Sequence, residues 1–458
     1  TGVAVRGIPV TIGKAELKAN SPLTAGSVTA GQPLSTSTIN SVTVQSGNTV
    51  VTGTFAWEDG SIIPKDGQSY NVIFTPDDQT NYRTLTIQVQ VTVTGGSEAS
   101  GMDDAPMTTI VRDGMASTTL SAAGVSGLVR EAAANQSQNV VIRQEAAGNV
   151  TKTEVLIPAP AVGQLGRETD AALTVSTPVA DVTIPNAALG TLSDAGGTVD
   201  VVTEQTEQGV TLALAAGGRD VENVPGGLTL TIPVENAGPG TVAVLVREDG
   251  TRETLRKSVV EDGKLSVPLS GPATVEIVDS GKSFDDVPST GWESEAVAFA
   301  SAHELFNGTS DTTFSPDMPM SRGMLATVLY NLEGRPAQEL ANGFDDVSSD
   351  AWYAEGITWA TVSGITNGYG NGQFGPDDNI TREQFVVMLW KYSGSPKASG
   401  GNLDFTDVDQ ASGYALEALS WAVENGILHG CGDGQLDPGG MATRAQAAQM
   451  LKNLLENT

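Results

Sequence analysis

A multidomain chain is what the sequence predicts: a β-sandwich, a strand-rich spacer, and an all-α bundle of three helical repeats. Three observations predict it. The 458 residues exceed the roughly 100–200 of one domain, so several separate cores are expected. From Val3 to Asp279 apolar and polar residues alternate between Gly, Asn and Asp turns, the pattern of half-buried strands. From Ser283 onward one pattern recurs three times at a period of about 60 residues.

In the first segment, 1–97, Leu85, Ile87, Val89, Val91 and Val93 share one strand face. Gly47-Asn48, Asp59-Gly60, Asp66-Gly67 and Pro76-Asp77-Asp78 separate runs such as Val50–Trp57 and Tyr70–Phe74, at the spacing of a sandwich. The run Tyr70-Asn71-Val72-Ile73-Phe74-Thr75-Pro76, with Asn81-Tyr82, resembles the closing strands of bacterial immunoglobulin-like modules on surface proteins. Gly95–Gly101 has the composition of a linker.

The second segment, 105–280, repeats a unit. Val155-Leu156-Ile157-Pro158 leads to Gly163-Gln164-Leu165, and Val182-Thr183-Ile184-Pro185 to Gly190-Thr191-Leu192. Each reads as a strand stopped by proline and continued into a turn or short helix. Thr231-Ile232-Pro233 repeats the stop, Leu120–Ala134 reads as a helix containing Gly124 and Gly127, and Glu248-Asp249-Gly250 and Glu261-Asp262-Gly263 read as hairpin turns. The segment resembles spacer modules that precede anchoring repeats in surface proteins of Gram-positive gut bacteria.

Charge narrows the partners. With 54 acidic residues against 24 basic ones, a formal charge of −30 excludes nucleic acid and anionic lipid surfaces. No apolar run approaches about 18 residues, so no membrane insertion is expected. Cys431 alone excludes an intrachain disulfide framework, and two histidines, His303 and His429, leave little for imidazole catalysis. Thr1–Val10 lacks the regions of a secretory signal, so the chain is expected to start after one or within a longer precursor.

The three copies span 283–342, 343–403 and 404–458. Phe284-Asp285-Asp286-Val287 recurs as Phe344-Asp345-Asp346-Val347 and Phe405-Thr406-Asp407-Val408. Trp292 and Trp352-Tyr353 follow in the first two copies, then helical stretches at Ala296–Ala300, Ile357–Val362 and Ala418–Val423. Glycine turns follow at Gly308, Gly368 and Gly430, then Phe314-Ser315-Pro316-Asp317, Phe374-Gly375-Pro376-Asp377 and Leu436-Asp437-Pro438. Ser321-Arg322, Thr381-Arg382 and Thr443-Arg444 open a second helix, the hydroxyl residue standing at its N-cap.

These copies resemble S-layer homology repeats, the helix-loop-helix units with which bacteria hold proteins on the cell wall. The resemblance implies a pseudo-threefold bundle whose partner is a secondary cell-wall polysaccharide, often pyruvylated, held in grooves between repeats.

A pyruvate ketal is a carboxylate on a sugar, and a guanidinium fork matches it. Arg322, Arg382 and Arg444 stand in the first helical turn, where free N–H groups and the helix dipole also favour an anion; the alternative for each is pairing with a neighbouring acid. Arg322 is followed by Gly323-Met324, a departure from Glu383-Gln384 and Ala445-Gln446 that assigns repeat one the weakest groove. Trp292 and Trp352 are candidate sugar platforms, although an indole at a helix start more often packs. Asp286, Asp346 and Asp407 are candidate acceptors for sugar hydroxyls, with helix capping as the commoner role. The resemblance adds Gly308, Gly368 and Gly430 to the set.

His429-Gly430-Cys431 supplies too few ligands for zinc, and Asp77-Asp78 and Asp377-Asp378 lack the register of a calcium loop; a surface calcium ion stays open and unplaced, and no cofactor is expected. No catalytic motif is found, so the expected function is non-catalytic: a wall-anchored extracellular protein whose β-domains act as spacer or display modules. The alternatives are the anchoring part of a larger surface enzyme or adhesin, and a lattice-forming protein that self-assembles or meets other surface proteins.

Overall fold

A computed structural model describes residues 14–29, 33–47, 49–60, 62, 64, 69–91, 93–94, 107–146, 149–337, 343–400 and 403–457. Two units compose the chain, Thr1–Asp104 and Ala105–Thr458. The linker expected at Gly95–Gly101, the turn at Asp66-Gly67, Asn48 and the Thr1–Val10 stretch lie outside the described residues.

The first unit is built of short strands in several sheets. Gly53–Trp57, Ser69–Pro76 and Leu85–Gln90 form an antiparallel meander, and Lys18–Ala19, Val44–Ser46 and Thr49–Val51 a second three-stranded sheet. Alternation does what the sequence implies: Val72, Phe74 and Val89 turn inward onto Leu23 and Leu17. The run Val50–Trp57, read as continuous, divides between the two sheets. Gly53 begins the second strand because a Cβ there would stand 2.4 Å from the Thr75 carbonyl oxygen.

In the second unit, residues 107–279 fold around one core beneath two sheets and three helices: α1 (Ala122–Asn135), α2 (Ala159–Glu168) and α3 (Asn186–Asp194). The two strand-proline units form as expected, Lys152–Pro158 running into α2 and Asp181–Ile184, through Pro185, into α3. Glycine lets those helices touch, since a Cβ on Gly163 would meet Ser193 Oγ at 2.2 Å. At Pro233 the strand Leu228–Pro233 stops and no helix follows.

Each C-terminal copy is a helix pair: α4 (Ser294–Ala302) with α5 (Arg322–Leu332), α6 (Ala354–Val362) with α7 (Arg382–Tyr392), and α8 (Leu416–Glu424) with α9 (Arg444–Asn457). The hydroxyls of Ser321, Thr381 and Thr443 accept from Met324, Gln384 and Gln446 N–H, the caps the sequence announces. Backbone bonds then run in a closed cycle. Met320 N–H donates to Ala442 (2.8 Å), Ala442 N–H to Ile380 (3.0 Å), and Ile380 N–H to Met320 (2.9 Å). One apolar core, from Phe284 to Leu454, is shared by all three pairs.

The spacer and the first pair are joined through His303. Fully buried, its ring stacks on Phe299 at 3.8 Å, with Nδ1 2.8 Å from the Phe299 carbonyl oxygen and Nε2 2.9 Å from that of Ser258. Burial pushes its pKa below 6.5, against the two carbonyls that favour the cation. The unfolded chain therefore takes up the proton first as pH falls. The stabilisation is complete above the unfolded value of 6.5 and declines below it. The melting temperature of the full chain is expected to drop between pH 7 and pH 5, and His303→Gln to flatten that slope. An unchanged slope in His303→Gln would overturn the assignment.

Candidate functional site

The three arginines are buried, with 7, 4 and 7% of Arg322, Arg382 and Arg444 exposed. Each reaches into the loop of the next repeat. Arg322 Nε and Nη2 donate to the Phe374 and Asn367 carbonyls, both at 3.0 Å; Arg382 does the same to Leu436 and His429, both at 3.0 Å. Arg444 closes the cycle onto Phe314 (2.9 Å) and Asn307 (2.7 Å). Among the described residues no ion pair joins these arginines to an acid, the second of the sequence's two alternatives; each guanidinium staples one repeat to the next through carbonyls.

The N–H groups at those helix starts are occupied too, which corrects the expectation that they are free for an anion. Arg322 and Gly323 N–H donate to Asp378 and Pro376, Arg382 and Glu383 to Gly440 and Pro438, and Arg444 and Ala445 to Met318 and Pro316. The helix dipole is answered by protein carbonyls.

Asp286, Asp346 and Asp407 cap loops, not helices. Asp286 accepts from Phe314 and Ser315 N–H, Asp346 from Phe374 and Gly375, and Asp407 from Leu436 and Asp437, at 2.7–2.8 Å. Burial opposes the charge on Asp286 and Asp346, but the paired N–H donors outweigh it and hold both carboxyls below the ordinary range. For Asp407 the Leu436 N–H is the largest cause of the same lowering. Gly308, Gly368 and Gly430 lie under the Phe284, Phe344 and Phe405 rings; a Cβ would stand 2.7, 2.4 and 2.9 Å from a ring carbon. In the structure these glycines serve packing.

What faces solvent is different. Trp292 and Trp352 are 62 and 61% exposed, against the expectation that they pack. Trp292 borders a groove of about 590 Å³ floored by Arg382, the loop Leu428–Gly432, and Gln446, Gln449 and Asn453 of α9. A matching groove of about 280 Å³ joins Arg322, the loop Thr366–Tyr369, Gln384 and Lys391 of α7, and Tyr414. Every repeat contributes to each groove: one gives the arginine, the next the loop and helix, the third an aromatic ring.

The sequence missed Tyr414, 59% exposed. Counted from the phenylalanine, Trp292 and Trp352 are eighth, where the third copy has Gly413; counted back from the helix start, Trp292, Trp352 and Tyr414 coincide. One extra residue in the third copy hides the match. Glu383 holds Tyr414 in place, taking its hydroxyl at 3.3 Å and the Ser412 N–H at 2.8 Å. The pairing of groove parts is also corrected. Gln384 lies beside Arg322 and Gln446 beside Arg382, so the helix carrying Gly323-Met324 belongs with Arg444, not with Arg322.

His429 and Cys431 sit in the groove that Trp292 borders, Cys431 exposed. Among the described residues no three His, Cys, Asp or Glu side chains are grouped to hold a metal, and no helix is long and apolar enough to cross a membrane.

Residues 283–323, 343–386 and 404–448 match the S-layer homology domain. An endoglucanase of Bacillus sp. (strain KSM-635) is 30% identical over 195 residues, 42% of this chain and 20% of that protein. The surface-layer 125 kDa protein of Lysinibacillus sphaericus is 27% identical over 192 residues (41% and 16%), and the S-layer protein EA1 of Bacillus anthracis 24% over 189 (41% and 22%). The chain thus spans about a fifth of the length of these relatives. With its helix pairs closed in a cycle by their own arginines and three segments matching one domain family, the chain is a cell-wall surface protein carrying three S-layer homology domains, of the kind found in Gram-positive bacteria.

Proposed function

We propose that the three repeats hold the chain on the wall by binding an acidic, pyruvylated secondary cell-wall polysaccharide in the grooves that Trp292 and Tyr414 border. The observation that carries this reading is the composition of those grooves: an exposed ring for a sugar face, amides for hydroxyls and a buried guanidinium at the floor. Two donors of each arginine are committed to carbonyls, so the fork is pre-positioned and its remaining N–H groups are the ones offered to a carboxylate. The closed cycle of backbone bonds supports the pseudo-threefold bundle that the family resemblance implies. The β-rich segments serve as spacer and display modules, the first an immunoglobulin-like sandwich, and the role is non-catalytic.

Two other readings have support. The endoglucanase match favours an anchor for a larger surface enzyme or adhesin, and the S-layer protein matches favour a lattice protein, which two-dimensional assembly of purified chain would reveal.

The repeat core lies within 284–454, so a fragment from Ser283 is expected to fold and to sediment with purified wall sacculi, while 1–279 stays in solution. In the full chain, Trp292→Ala with Tyr414→Ala is expected to weaken wall binding by about tenfold without changing stability. Sedimentation of 1–279 alone, or full binding by the double variant, would sink the proposal.

A further inference from the structure

The third groove is unlike the other two because the spacer enters it. Leu305, Asn307 and Asn331 occupy the positions that Ile365, Asn367 and Lys391 hold beside Arg322, yet they open into a cavity of about 520 Å³ whose far wall is the spacer sheet. That volume is in the range of small-ligand sites.

The cavity is cationic in a chain of charge −30. Arg252 and Arg256 come from the spacer, Lys282 from the connection, and Arg335 from the end of α5. Arg252 pairs with Glu276 and Arg256 with Glu304. Among the described residues no carboxylate pairs with Lys282 or Arg335, whose guanidinium Nε donates to Asn331 Oδ1 at 2.8 Å. Arg256 Nε is buried without a hydrogen-bond partner. The carboxyl ends of α4 and α5 lie here and contribute roughly half a negative charge each, which offsets about one of the two spare cations. A net positive charge remains, beside amides and the Ser280 and Ser301 hydroxyls.

We infer that this cavity is a second, composite anion site, which takes a carboxylate- or phosphate-bearing sugar residue between the spacer and the first repeat. Arginine forks and a lysine suit either oxyanion, and the amides suit the hydroxyls of the sugar that carries it. The identity of the ligand as a sugar rests on the polysaccharide reading above; the anion site itself rests on the cavity and its charge. Binding here ties the spacer to repeat one, so the tether between display module and anchor stiffens when the wall is engaged.

The test uses the full chain with glucuronic acid, glucose 1-phosphate and, as the neutral control, glucose. Calorimetric titration is expected to show both acids binding and glucose not, with affinity falling as salt rises. Lys282→Ala with Arg335→Ala, both exposed and so without cost to the fold, is expected to weaken the acids by about tenfold or more. Because Trp292 and Tyr414 border the two repeat grooves, the titrations are repeated with both changed to alanine, and the loss caused by Lys282→Ala with Arg335→Ala is expected to persist in that background. Acid-dependent hydrogen-exchange protection is expected in peptides covering 252–258 and 301–307. A preference between the two acids identifies the oxyanion. Acids that bind no better than glucose, or a Lys282/Arg335 double variant that binds like the parent, overturn the inference. Acid binding here by a chain that fails to sediment with walls supports this site and removes the proposed function.

Discussion

Arg382→Ala is expected to lower the unfolding free energy of the repeat region by about 3–6 kcal/mol, from two charge-assisted hydrogen bonds at roughly 1.5–3 kcal/mol each. The change removes the donors to the Leu436 and His429 carbonyls and leaves the Leu436 oxygen buried without the bond that Arg382 Nε provides. Lysine is a point charge without the fork, so Arg382→Lys is expected to recover less than half of the loss. Five of the six tryptophans lie in the repeats, which makes indole fluorescence in urea the measurement. Trp292→Ala gives the contrast: binding weakened, stability kept. An Arg382→Ala midpoint equal to the parent's would show that the guanidinium is not a staple.

Gly368→Ala is the second large effect, an expected loss of about 2–3 kcal/mol from overpacking. Its Cβ would stand 2.4 Å from Phe344 Cε1 and 2.6 Å from the Gln373 carbonyl oxygen, and the ring cannot retreat because it packs on Phe374 at 5.3 Å between centroids. Gly439→Ala, where a Cβ meets nothing within 4 Å, is expected to cost almost nothing. Equal urea midpoints for the two variants would mean that the loop yields and that the glycine is not required by packing.

Helix pairs, caps and strand alternation were legible because they are local: Thr381 caps three residues away, and Val89 alternates with its own neighbours. The arginines stand out in the sequence as candidate anion ligands, but the carbonyls they staple do not. Their partners stand 45 to 137 positions along the chain, and carbonyl oxygens carry no signature in a sequence. The same distance explains the wrong groove for Gly323-Met324, since the parts of one groove come from three repeats. Trp292 was weighed toward packing by residue type, whereas exposure is set by the neighbouring repeat. Glu383, named in the sequence only as the partner of Gln384, fastens Ser412 and Tyr414, and only the fold brings them together. The cationic cavity was invisible for another reason: its charges are drawn one by one from strands, a connection and a helix end.

A set of contacts that passes from one unit to the next and returns to its start after three steps behaves as a ring, not as a stack. A stacked array takes another unit at either end, whereas here every guanidinium and every acceptor pair is already matched. Losing one copy would leave an unmatched guanidinium at one end and empty acceptors at the other, complementary surfaces that a second molecule can fill. The number three is thereby fixed by geometry, and a shortened chain is driven toward intermolecular exchange.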